Sequence, residues 1–488
     1  MKKKILTFEI IFIFCLILLL IKLIPYQYGV EDQVIYLPFI KKLINQNLYQ
    51  DDYLFNYHSE ASIFFKIIKV VYPLFNSLEK TFSFLYSLTL FFIFLGIYKF
   101  SQSLFNSRII SLITLLIFMF PKWVGGTGVL TYENYFLPRL LATPFLIFSL
   151  YFLINKKIKS SAMFALSSFI IHPVSAASLI IIIIFYLILK RKSFNRRDII
   201  STLLIFFTAT LIVILFAQKE FSQTTRYPIM SSQWLSIVKM RDPYIFPQLW
   251  KLRSFGSLIL FYIFYLIFLA EIKILRIKNN PFDKDKMTII NLTAIISLLT
   301  PLLFIILSET IPITSVLQLE PARSLVVFAY LSIICFAYAS YQIINSKNHF
   351  LVKFFIFIFL FFSVFLWNNK HPEKIDNEFI EVQKWVKDNT DINSIFLTPP
   401  FKKGFRIYSE RSIIGEYKEG GHVLFSYNFA KEWKERIEIL KKFDDFTEED
   451  FKKIKEIYYY DYLVINNERN LHFTKVFNNS KYSVYRVF

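Results

Sequence analysis

Glycine is scarce in this chain: 10 in 488 residues, where a soluble protein of that size carries several times more. Cysteine is almost missing. Cys15 and Cys335 both sit in apolar runs and read as small core residues, which excludes a disulfide framework or a thiolate zinc site. No HExxH, CxxC, P-loop or GxGxxG pattern occurs, so the familiar phosphate-loop and zinc-hydrolase chemistries have no anchor. The stretch "GGTG" at 125–128 lacks both the P-loop lysine and a strand–helix frame. Charges are rare inside the long apolar segments, and no internal repeat is visible. Both absences count against a transporter, whose ion or substrate path places charges at mid-bundle and whose halves are often repeats.

Apolar residues are abundant instead. They make up 55% of the chain, and aromatics 19%. Apolar windows of roughly 18 or more residues recur, as transmembrane helices require. Hydropathy places about eleven spans, near 5–24, 81–100, 107–121, 137–154, 160–172, 174–189, 199–217, 255–275, 287–307, 324–345 and 349–367. The first apolar run is too long for a signal peptide and offers no small-residue cleavage site, so it reads as an uncleaved anchor. Dense basic loops follow alternate spans: Met1–Lys4, Asn155–Lys159, Lys190–Arg197 and Lys273–Lys286. Positive charge marks the cytoplasmic side. The net charge of +20 is therefore assigned to loop topology and not to nucleic acid. The N-terminus is expected in the cytoplasm and the C-terminal region outside.

Three exterior segments are long. Residues 25–80 form a large first loop, in which 34–46 and 60–75 mix apolar residues and lysines at helical spacing, as interfacial helices do. Residues 218–254 are rich in Trp, Tyr, Pro and Arg. The third segment is the tail. Its helical stretches "EFIEVQKWVKDNT", "NFAKEWKERIEILKKF" and "EEDFKKIKEIYYY" alternate with strand-like "SIFLTPP", "RSIIGEYK", "DYLVIN" and "KYSVYRVF". That alternation predicts a small α/β domain. The fold expected is a polytopic α-helical membrane protein, with a transmembrane domain over 1–368 and an extracytoplasmic α/β domain over 369–488. Only thirty residues serve the pair of spans at 160–189, so the turn at His172–Ser175 should lie below the outer surface, around a cavity opening outward.

Candidate chemistry gathers on the exterior segments. Glu31 and Asp32, in "YGVEDQVIYLPF", follow the first span directly. Beside an interfacial helix such acids are costly unless used or paired, and they suit a general base or a metal ligand. Asp51 and Asp52 form a second acidic pair on the same loop. Arg139 in "NYFLPRLLATP" and Arg323 in "LQLEPARSLV" each open a span at its exterior end. They read equally as snorkelling anchors and as bidentate phosphate ligands, and Glu320 could pair with Arg323 internally. His172 reads as a hydrogen-bonded interior histidine, with proton transfer or a phosphate contact as the alternative. Arg241, in "WLSIVKMRDPYIFPQLW", stands among aromatics that suit either a sugar platform or an interface belt.

"GVEDQVIYLPFI" matches, in place and type, the acidic motif after helix one in the GT-C superfamily of multi-spanning glycosyltransferases, and the overall layout resembles theirs. "LYQDDYLF" and the tail "WVKDNT…SIFLTPP…GFRIYSERSIIGEYK" also resemble a group of bacterial membrane proteins of unassigned activity. The resemblance implies a GT-C-like fold and a polyprenyl-phosphate-linked sugar as donor, with a glycan, lipid or protein as acceptor. It carries Asp32 over as catalytic acid or base, with Glu31 supporting, and makes Glu133 in "TYENYF" the nearest counterpart of a second exterior acid. The loop motif "RDPYIFP" lacks the histidine expected there. In this reading Arg139, Arg323 and His172 would hold the donor phosphate, and Asp51, Asp52, Glu133 and Arg241 would support the acceptor side, in a cytoplasmic membrane enzyme that needs no cofactor, though a divalent metal stays open. The competing readings are a lipid or glycan flippase and a non-catalytic envelope assembly protein.

Overall fold

Ten of the eleven apolar runs coincide with helices in the computed structural model of the chain, which describes residues 2–57, 62–216, 226–277, 283–345 and 374–488; the eleventh run, 349–367, lies outside them. Among the described residues four helices are long and apolar enough to cross a membrane: Leu78–Phe105, Leu252–Ile274, Lys284–Ser308 and Thr314–Asn345. The expected count of eleven crossings is thus met only in part. Pro138–Ile154, Ile158–Ile171 and Pro173–Leu189 are apolar but shorter. The last two have 14 and 17 residues and rise only about 21 and 26 Å, against a hydrocarbon core of about 30 Å. A single residue, His172, separates them.

The chain divides into two units. The first comprises Met1–Tyr26, Phe82–Phe216 and Pro243–Pro372. At its centre is the helix Ser324–Asn345, buried along almost its whole length, with the helices Arg108–Phe118, Leu252–Ile277 and Lys284–Thr310 against it. Peripheral helices turn apolar stripes outward, such as Phe84, Leu88 and Phe92 at a spacing of four. An exposed apolar stripe on a helix is stable only against lipid or a partner. The basic loops gather at one end: Lys156 and Lys190 both pair with Asp285, at 2.6 and 2.7 Å, and Lys286 Nζ donates to the carbonyls of Ser103 and Leu104. "GGTG" is a hairpin turn between β1 (Trp123–Val124) and β2 (Val129–Leu130). Gly126 adopts φ +73°, and a Cβ there would lie 2.2 Å from the Trp250 ring, so the glycine serves packing and turn geometry.

The second unit joins Gln27–Thr81, Ala217–Asp242 and Glu373–Phe488. Most of the first exterior loop and part of the second thus group with the tail in this unit. The reason is burial. The helix Gln33–Ile44, expected at a lipid interface, instead buries Gln33, Val34, Ile35 and Leu37–Ile40. Its neighbour Ile63–Val71 buries Phe64, Phe65 and Ile68.

The tail forms a five-stranded sheet in the order β4-β3-β5-β7-β6, with β3 Ile395–Leu397, β4 Ser412–Ile413, β5 Tyr462–Asn466, β6 Thr474–Asn478 and β7 Tyr482–Arg486. β4, β3 and β5 run parallel; β7 and β6 are antiparallel additions. Alternate residues face opposite layers, as strands require. Phe396, Val464 and Val484 pack with Phe379, Val382 and Val386 of the helix Asn377–Asn389. Leu397, Leu463, Ile465 and Tyr485 face Leu440, Phe451 and Ile454, from the helices Tyr427–Leu440 and Glu448–Ile457. The expected strands and helices of the tail are all present. β6 was not expected: its residues are mostly exposed, so no apolar alternation marks it.

Candidate functional site

The acidic turn is shaped by backbone before charge. Gly29 takes φ +76°, a region open to glycine, and its N–H donates to Gln33 Oε1 at 2.7 Å. Glu31 is also left-handed, at φ 48°, so the chain reverses sharply into the helix Gln33–Ile44. Asp32 occupies that helix's N-cap position but makes no side-chain capping bond, although aspartate caps readily. Its carboxylate meets Lys418 Nζ at 2.8 Å instead. Glu31 lies 3.3 Å from both Lys418 and Lys403. Asp32 and Glu31 keep 30% and 41% side-chain exposure, so the cluster is open to an approaching molecule. Burial pushes the Glu31 carboxyl up, but Lys418 and Lys403 outweigh it and hold it below its ordinary value. Burial likewise pulls Lys418 down, and Asp32 and Glu31 overcome that and raise it. Both groups are therefore charged at neutral pH.

Lys418 is positioned by Arg241. The guanidinium donates from Nε to the Tyr417 carbonyl at 3.3 Å and from Nη2 to the Lys418 carbonyl at 3.2 Å, pairs with Asp242, and lies 5.0 Å from the Tyr417 ring. Arg241 thus braces the loop that carries Lys418. His422, at the end of the same segment, sits among the rings of Phe39, Phe425 and Phe429. Burial lowers it to about 4, despite the opposing field of Asp32, so its imidazole is neutral at physiological pH. Lys403, Lys418 and His422 were not singled out in the sequence. Their only local signal is a glycine neighbour, in "FKKG" and "YKEGGH".

Asp51 and Asp52 part company. Asp51 is exposed, while Asp52 is fully buried. Asp52 accepts two bonds from Arg406, at 2.6 and 2.8 Å, and further bonds from the Leu54 and Ile413 N–H groups. Arg406 also binds Glu419 at 2.5 Å, and Glu419 accepts from Tyr53. Asp52 is a buried strut with saturated oxygens, not an open acid.

The remaining candidates lie in the first unit. Arg139 Nε donates to Glu133 at 2.7 Å, and Arg323 Nε to Glu320 at 2.8 Å. Arg323 lies within electrostatic range of Arg139 and 6.0 Å from the Tyr244 ring. Each guanidinium thus has a carboxylate partner through Nε. The other nitrogens of Arg323 make no hydrogen bond among the described residues. Glu320 holds a left-handed φ of 43°, a strained conformation for a residue with a side chain. His172 caps the helix Pro173–Leu189, accepting from the Ser175 N–H at 3.2 Å. Glu31, Asp32, Asp51, Asp52 and Arg241 belong to the second unit. Among the described residues no group of three or more His, Cys, Asp and Glu could hold a metal.

A bundle of apolar helices with exposed apolar stripes defines a membrane protein. The chain belongs to the EpsG family, which matches residues 10–381. Residues 377–440 match a domain of unknown function, DUF6798. No curated protein matches the chain. The acids at 31 and 32 fall in the EpsG match, and their partners Lys403 and Lys418 in the other.

Proposed function

We propose that this EpsG-family membrane protein acts in glycosyl transfer during polysaccharide assembly, drawing on a polyprenyl-linked sugar. The acceptor hydroxyl attacks the anomeric carbon, the bond to the polyprenyl phosphate breaks, and Asp32 takes the hydroxyl proton. The observation that carries this is the Asp32 carboxylate. It stands at a helix N-cap, remains partly exposed, and is held by Lys418 at 2.8 Å. A partly exposed carboxylate beside a lysine can meet a substrate hydroxyl. Glu31 and Lys403 fix the position of Lys418 and balance the charge. Within the first unit, Arg139 and Arg323 are proposed as phosphate ligands, since a guanidinium binds phosphate bidentately, with His172 a further candidate. We assign the reaction to the extracytoplasmic face, because the dense basic loops of the sequence mark the cytoplasmic side.

The test is a replacement of Asp32 by Asn in the native strain. At equal expression, loss of the surface polysaccharide by gel and mass spectrometry is expected. An unchanged polymer yield and length would remove Asp32 from the chemistry.

A further inference from the structure

Directly beside the acidic turn, within the second unit, lies a cavity of ≈ 190 Å³. Its wall runs from Tyr28 through Val30, the three residues before Glu31, and continues along Phe401–Gly404 to Tyr408. The opposite side is the start of the helix Asn377–Asn389, with Lys374 and Asp376 ahead of it. This volume is below the range of about 300–1,000 Å³ typical of drug-sized ligands and suits a single ring. Two features of the lining narrow the ligand. Aromatic rings converge: Tyr28 and Tyr408 meet edge to face at 6.4 Å, and Phe401 stands 59% exposed at the rim. Exposed aromatic faces beside polar groups favour the C–H face of a sugar over a purely apolar molecule. The charge is also one-sided, with three lysines (Lys374, Lys402 and Lys403) against one carboxylate, Asp376. Lys402 pairs with Asp376 at 2.8 Å and Lys403 with Glu31 at 3.3 Å, while Lys374 is exposed at the mouth. With Glu31 counted against Lys403, one positive charge is left over, that of Lys374, and it attracts an anionic ring to the hollow.

We propose that this cavity is a subsite for an anionic sugar of the acceptor glycan, with the aromatic rings against the ring face and Lys374 and Lys402 on the acidic group. The acid is a carboxylate or a phosphate, which present the same charge to lysine. The inference rests on the reading of Asp32 as the base, because an acceptor seated here brings its next hydroxyl to the turn that carries that carboxylate.

Titration calorimetry on the full chain in lipid nanodiscs, at low salt, tests it. The probes are a tetramer of glucuronic acid, glucose 6-phosphate and neutral cellotetraose. Binding of either anionic probe with no comparable binding of cellotetraose is expected, and whichever anion binds tighter identifies the acidic group. The variant K374Q/K402Q should weaken the anion by about tenfold or more, and Phe401→Ala should weaken it with the melting temperature unchanged. Equal binding of the neutral tetramer, no binding of either anion, or no effect of the lysine replacements would overturn the subsite. Asp32→Asn should still bind the anionic probe. Binding retained with normal polymer synthesis would sink the base assignment alone; lost synthesis with no probe binding in any variant would sink the subsite alone.

Discussion

At the scale of single residues, two adjacent aspartates show how little a residue type says without its surroundings. Asp52 is sealed inside the second unit with all its acceptor capacity engaged by Arg406 and two backbone N–H groups. Replacing Asp52 leaves Arg406 to Glu419 alone and weakens two buried charge-assisted hydrogen bonds, each worth about 1.5–3 kcal/mol. Asp52→Asn should therefore lower the melting temperature sharply, whereas Asp51→Asn, at an exposed position, should change stability by no more than about 0.5 kcal/mol. Thermal unfolding of the two variants in detergent checks this, and equal melting temperatures would refute the strut. Asp32 lies between these extremes, paired yet partly exposed, as its proposed role as base requires. Its partner came from a lysine 386 positions away in the chain, so nothing near "VEDQ" announced it.

At the scale of elements, the 3-10 segment Tyr417–His422 brings together most of what the sequence left unread. Glu416 and Glu419 close a reciprocal capping box at its start. Burial, and then the neighbouring Glu419, push Glu416 up to about 8, so it holds a proton when folded at neutral pH. A raised folded value means stability fully present below the unfolded value near 4.5 and lost as pH rises through about 8. His422 at the other end has the opposite sign. Its folded value of about 4 makes its contribution complete above about 6.5 and lost as pH falls through about 4. Melting curves from pH 4 to 9 should separate the two. Relative to the native chain, Glu416→Gln should gain stability as pH rises from 5 to 8, and His422→Gln should gain it as pH falls from 7 to 4. Parallel curves for all three proteins would refute both assignments. The hairpin around "GGTG" belongs to this scale as well. Its glycines look like a phosphate loop in composition but pack against Trp250, Tyr244 and the Ser254 backbone.

At the scale of the whole chain, the proposed orientation rests on the basic loops. Lys156 and Lys190 converge on Asp285, and the proposal puts that end in the cytoplasm by its positive charge. After Cys15 and Cys335 are replaced by serine, a cysteine introduced at Glu449, on the tail helix, should react with a membrane-impermeant maleimide in intact cells. One introduced at Lys192 should react only after permeabilisation. Labelling in the reverse pattern would invert the topology and remove the extracytoplasmic reaction.

Composition and periodicity alone determined that this is a membrane protein, where its apolar helices run, and that its tail alternates helices with strands, because lipid and a sheet core impose periods that short windows of sequence carry. They also put Glu31 and Asp32 forward, by position, as the residues of the proposed site. What they could not supply was partnership. The edge strand Thr474–Asn478 has no buried face to pattern. The loops at 27–81 and 217–242 join the tail through contacts hundreds of residues apart. Lys403 and Lys418 look like any surface lysines until the chain folds. Only the tertiary structure decided which acids are saturated struts and which remain open, since that depends on the burial and hydrogen bonds each carboxylate meets and not on its neighbours in sequence.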